Sequence, residues 1–135
     1  MNLRLAIPAL LLMVGGLGAC ASKPGGDCCC MADKPPLRHV VIFKFKDGTP
    51  PEQVAAIEKK FGELKGKIPG VLDFEFGTNV SPEKLDQGFT HCFIVTFPDV
   101  AARDAYLPHP AHQEFVGILK PHLDKVFVID YVVRT

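Results

Sequence analysis

Between Tyr106 and Phe115 the chain reads YLPHPAHQEF, which sets a phenol, two imidazoles and two prolines side by side. An imidazole gains or loses a proton near neutral pH, and a phenol donates a hydrogen bond while keeping its own proton. Such groups serve as metal ligands, as an acid–base pair in a pocket, or as a kinked helix start with no chemistry. Pro108 and Pro110 cannot both sit inside one regular helix, because each lacks an N–H and crowds the preceding turn. The spacing predicts a short helix ending near Leu107, a kink at His109, and Pro110 opening a second helix. In that second helix His112, Phe115 or Val116, Leu119 and Leu123 fall on one stripe, so His112 faces inward. His109, at the kink, either caps the new helix or meets solvent.

Two more histidines open extended runs, HVVIFKFK from His39 and HCFIVTF from His91. Both runs are β-branched and aromatic, as strands are. Side chains alternate across a strand, so His39 shares a face with Val41, Phe43 and Phe45, and His91 with Phe93, Val95 and Phe97. Those are the faces that helices should cover. His39, His91, His112 and Tyr106 are therefore expected to line one pocket between helices and sheet, with Val41, Phe43, Phe93 and Phe115 as its apolar wall. A three-histidine zinc site would need converging ligands. Here the histidines come from separate elements with no close pair such as HxH, so no metal and no cofactor is expected.

The cysteines point elsewhere. Cys28, Cys29 and Cys30 stand together beside Met31. Thiolates and thioethers are soft donors that suit Cu(I), which makes the three cysteines weak metal candidates. They lack the CxxC spacing of zinc sites and any local histidine. Cys92 lies within a strand-like run and reads as a small buried apolar residue.

The N-terminus has its own logic. Met1 to Arg4 is a short positive region, Leu5 to Val14 an apolar run, and Gly15 to Ala19 a stretch of small residues before Cys20. That is the pattern of a secretory signal over residues 1–19, too short for a comfortable bilayer span of about 20 apolar residues. Leu17-Gly18-Ala19-Cys20 resembles the lipobox of bacterial lipoproteins, which makes Cys20 the expected lipidation site. Each buried acyl CH₂ contributes about 0.8 kcal/mol, so a multiply acylated Cys20 would hold the protein to the cell envelope through lipid alone. Residues 20–36 carry Gly, Pro and Cys without apolar periodicity and read as a tether. Removing Arg4 with the leader leaves 14 basic against 15 acidic residues. No basic stripe interleaved with aromatics is present, so nucleic acid is not an expected partner.

Residues 37–135 form one domain. After the first strand, Asp47 to Pro51 turns into a helix, with Thr49 the expected N-cap and Val54, Ile57, Phe61 and Leu64 at helical spacing. Ile68-Pro69-Gly70 ends it. A second strand has Leu72, Phe74 and Phe76 on one face. After the third strand, Asp99 is positioned to cap a helix, and Val126 to Val133 is a nearly all-apolar fourth strand. The order β-α-β-β-α-β is an α+β, ferredoxin-like plan, a four-stranded antiparallel sheet with both helices on one face. Its other face would carry Val40, Ile42, Cys92 and Ile94. An apolar face of that size marks an interface, so a homodimer packed through the open sheet faces is expected.

HVVIFKFKDGTP, IPGVLDFEFGTNVSPE, GFTHCFIVTF, YLPHPAHQEF and VFVIDY together resemble the stress-responsive A/B barrel (Dabb) family across residues 37–133. The resemblance implies a dimeric α/β barrel. It also implies two functions. One is binding of a small apolar or aromatic molecule, with a stress-related role. The other is cofactor-free acid–base catalysis of the kind carried out by a plant polyketide-cyclising member of the family. The catalytic tyrosine and histidine of that member match Tyr106 and His112, and its pocket histidines match His91 and His39. The match makes His112 the general base and Tyr106 the group that orients or polarises a carbonyl. Glu58, Val116 and Leu123 differ from that enzyme's lining, which implies a reshaped tunnel.

Overall fold

In the computed structural model of the chain, residues 34–134 are described. The expected leader, Cys20 and the Cys28–Cys30 run lie outside them. The elements are β1 (Leu37–Phe45), α1 (Pro51–Gly62), the one-turn α2 (Leu64–Lys67), β2 (Asp73–Thr78), β3 (His91–Phe97), α3 (Val100–Tyr106), α4 (Pro110–Leu119) and β4 (Leu123–Val132). A 3₁₀ turn at Lys120–His122 joins α4 to β4.

All strand pairs are antiparallel, in the order β2-β3-β1-β4. This is the expected ferredoxin-like sheet. The alternation read from β1 is physical. Leu37, His39, Val41, Phe43 and Phe45 are buried, and the residues between them are only half-buried. Phe93, Val95 and Phe97 of β3 are buried on the same side. Helices α1 and α4 seal that side with Ile57, Phe61, Phe115 and Leu119. The middle of the core is aromatic. Phe61 stacks on Phe115 with ring centroids 4.5 Å apart, and Phe43 and Phe93 lie 4.8 Å apart. Ring pairs at such spacings add about 0.5–1.5 kcal/mol each beyond the area they bury.

Strand β4 lies at the sheet edge, paired with β1 alone. Its hydrophobic residues are close to half exposed on both faces, Val126 at 50% and Ile129 at 45%. On the open face, Ile42, Cys92, Ile94 and Phe127 join Leu85 and Phe89 of the β2–β3 loop around a groove of about 600 Å³. Burial, with Glu75 nearby, holds the Cys92 thiol above its usual range.

Two expectations need correcting. Thr49 does not cap α1. Its hydroxyl donates back to the Lys46 carbonyl (2.8 Å), and Pro50 occupies the N-cap without a side-chain bond. Leu123 does not extend the stripe of α4. Pro121 interrupts the helix, and Leu123 opens β4 instead. By contrast, Asp99 caps α3 as expected, accepting from the Ala102 N–H at 2.9 Å. Gly70 keeps α3 close to the preceding turn. Its φ is +90°, and a Cβ there would lie 3.2 Å from Cβ of Ala102.

Candidate functional site

The site is built on the break between α3 and α4. Helix α3 stops at Tyr106 because Pro108 and Pro110 cannot continue it. His109 adopts an extended conformation and caps α4, its Nδ1 accepting from the Ala111 N–H at 3.2 Å. The break leaves the Leu107 carbonyl without the helical N–H it would otherwise take. His112 Nδ1 donates to it at 2.8 Å, and the Gln113 side-chain amide donates at 2.7 Å. A carbonyl only accepts, so in neutral His112 the proton sits on Nδ1 and Nε2 keeps its lone pair. Burial, with help from the nearby charges of His39 and His109, lowers the His112 pKa. The Leu107 bond opposes that shift.

Tyr106 is fully buried beside it. Its ring centroid lies 4.4 Å from that of His112, 5.1 Å from Phe97 and 6.1 Å from His39. Burial pushes the phenol well above its usual range, so it stays protonated as a donor. Among the described buried side-chain atoms, the Tyr106 hydroxyl alone has no hydrogen-bond partner.

His39 closes the cluster. It is buried, and its Nδ1 meets Asp130 Oδ1 at 2.6 Å. The other Asp130 oxygen accepts from Arg103 Nη1, and Arg103 Nε donates to Asp104 at 2.8 Å. Neither Asp130 nor Arg103 was expected at the site. The signals were the one acid within the otherwise apolar run Val126–Val133 and a β1–β4 register that sets His39 opposite Asp130.

His91 does not join this cluster, and the expectation that it would is corrected here. Both histidines begin strands, but the strands run antiparallel, so their starts lie at opposite ends of the sheet. His39 pairs with Val95, and His91 pairs with Phe43, four residues further along β1. At about 3.3 Å per residue that separation is about 13 Å. His91 instead has Thr90 Oγ1 at 2.8 Å and Glu58 Oε1 at 3.7 Å, with its ring edge-on to Phe45. Between the two ends, Val41, Phe43, Phe93 and Phe115 are packed into the core, where an open pocket wall was expected. Among the described residues, no group of three His, Cys, Asp or Glu side chains is arranged to hold a metal ion.

The arrangement can donate one hydrogen bond from a buried phenol and accept a proton at His112 Nε2. Known proteins with this fold bear on what such a site is for. The chain is 44% identical over 98 residues to the stress-response A/B barrel domain-containing protein HS1 of Arabidopsis thaliana, covering 73% of this chain and 90% of that protein. It is 31% identical over 98 residues to olivetolic acid cyclase of Cannabis sativa, covering 73% of this chain and 97% of the cyclase. Among solved structures, a hydroxynitrile lyase from Passiflora edulis superposes with a TM-score of 0.71 at 27% identity, over 75% of this chain and 95% of the lyase. A dimeric ferredoxin-like protein of unknown function from Jannaschia does so with 0.65 at 28% identity, over 73% and 99%. The Stress responsive A/B Barrel Domain (Dabb) family model matches residues 37–133, and the chain belongs to that family.

Proposed function

We propose that this Dabb protein binds a small apolar or aromatic molecule whose oxygen accepts a hydrogen bond from Tyr106. The unpartnered Tyr106 hydroxyl carries the proposal. Leaving such a group unpaired in the interior costs about 1–3 kcal/mol, and a ligand oxygen would remove that cost. The phenol lies among the rings of Phe97, His39 and His112, a wall suited to a flat or apolar molecule. Tyr106 and His39 are buried, so entry would require the α3–α4 break to open. The test is ligand occupancy of the purified protein. Tyr106→Phe is expected to weaken binding about tenfold, the value of one buried hydrogen bond of about 1.4 kcal/mol.

A second reading is catalytic, with Tyr106 and His112 as an acid–base pair. It is favoured by the free Nε2 and lowered pKa of His112, and by similarity to a cyclase and a lyase. In that case His112→Gln would cost about 10²–10⁴-fold in turnover while ligand affinity holds. A binding protein would show no turnover to lose.

The protein would work as a homodimer through the open sheet face, as supported by the half-buried Val40, Ile42, Cys92 and Ile94 and by the dimeric Jannaschia neighbour. A lipid on Cys20 would tether it to the cell envelope. Among the described residues no helix is long and apolar enough to cross a membrane. Cys20→Ser would then move the protein from the membrane fraction to the soluble one. A variant that stayed with the membrane would overturn the tether.

A further inference from the structure

Helix α3 brings two residues to the site, Tyr106 and, three positions earlier on the same side of the helix, Arg103. The Arg103 side chain bonds to carboxylates, Asp104 beside it and Asp130 across the site. It reaches Asp130 of β4, which in turn holds His39 of β1. Asp130 divides its two oxygens between them, Oδ1 to the imidazole and Oδ2 to the guanidinium. All three side chains are largely covered, with 8% of His39, 18% of Arg103 and 28% of Asp130 exposed. The charged and titratable groups facing His39 are Asp130 from β4, Arg103 and Tyr106 from α3, and His112 from α4. From β3 it meets apolar Phe97, and its register partner there is Val95.

We propose that Arg103 is a positioning residue that acts through Asp130 to fix His39 as an Nδ1-protonated imidazole, leaving Nε2 as a second acceptor beside Tyr106. A carboxylate held by one partner alone can rotate about its last torsion. Held at both oxygens, it presents Oδ1 to His39 in one orientation, and so sets the tautomer. Arg103 also limits the pull of Asp130 on a proton at His39, because its positive charge competes for the same carboxylate. The site then contains two imidazoles with unlike support. His112 hangs on a neutral carbonyl, and His39 on a carboxylate shared with a guanidinium. The inference rests on the site proposed above, yet its test needs no ligand.

The test is ¹⁵N-detected NMR of the histidine rings in the full chain, with His39→Gln assigning the His39 signals. In the wild type, neutral His39 is expected as the Nδ1–H tautomer. Arg103→Gln removes the competing cation and is expected to raise the His39 titration midpoint by about one pH unit. Asp130→Asn removes the carboxylate and is expected to lower it by about one unit or more. Arg103→Lys keeps the charge and should leave the midpoint close to the wild-type value. A purely structural role for Arg103 would disturb folding without moving the midpoint in opposite directions for the two partners. An unchanged midpoint and tautomer in folded Arg103→Gln would overturn the inference. If that variant fails to fold, an unchanged midpoint in Asp130→Asn overturns it equally. Loss of ligand binding in Tyr106→Phe reports on the proposed function alone, so the two failures are distinguishable.

Discussion

His112 is held by a carbonyl that a continuous helix would have used for itself. Two prolines end α3, Leu107 is left with a free acceptor, and the first turn of α4 supplies an imidazole and an amide to fill it. The cost of breaking the helix therefore does chemical service, because the same bond fixes which nitrogen of His112 carries the proton. Burial lowers the pKa of this histidine below its ordinary 6.5. The unfolded chain then binds a proton at a higher pH than the folded one does. The His112 contribution to stability is full above pH 6.5 and is lost as the pH falls from there through the lower folded value. Urea unfolding midpoints measured from pH 7.5 to pH 5 should thus fall more steeply in the wild type than in His112→Gln. Equal slopes would show that His112 titrates alike in both states.

The caps are the features on which local sequence and structure can be compared element by element. Asp99 caps α3 and Thr49 does not cap α1, although both precede helices in suitable contexts. Asp99→Ala should cost about 1 kcal/mol, or about 4–8 °C in melting temperature for a domain of this size. Thr49→Ala should cost clearly less, and thermal melting of the two variants checks the order. Strand faces were legible in the sequence because alternation is a local property, and β1 keeps it without a slip from Leu37 to Phe45. The kink at His109 was legible because proline chemistry is local too. Register and strand direction are not local. Nothing within HVVIF or HCFIV says that their first residues end up at opposite ends of the sheet; alternation sets His91 on the same face as His39, and only the register of the antiparallel pair separates them along it. Asp130 was hidden for the same reason, since only the β1–β4 pairing sets it against His39. The aromatic filling between the two ends depends on how Phe61 and Phe115 meet across α1 and α4, which spacing along the chain does not specify.

Across the whole molecule, one face of the sheet is sealed by helices and the other presents an apolar groove. The edge strand β4 is apolar on both sides and about half exposed. If a second copy covers the open face, a charge placed at its centre must be buried unpaired in the dimer. Ile94→Glu is therefore expected to run as a monomer in sedimentation at micromolar concentration, and the wild type as a dimer. A dimeric Ile94→Glu would place the interface elsewhere. The site itself lies on the helix side, so dimerisation and ligand binding are separable by mutation. The most direct test of the account is native mass spectrometry of the gently purified full chain, as wild type and as Tyr106→Phe, against a panel of aromatic carbonyl compounds. The account predicts a wild-type protein that retains a small molecule and a Tyr106→Phe protein that holds it about tenfold more weakly. Wild-type protein that stays empty across the panel, or a Tyr106→Phe variant that binds as tightly as wild type, would contradict it.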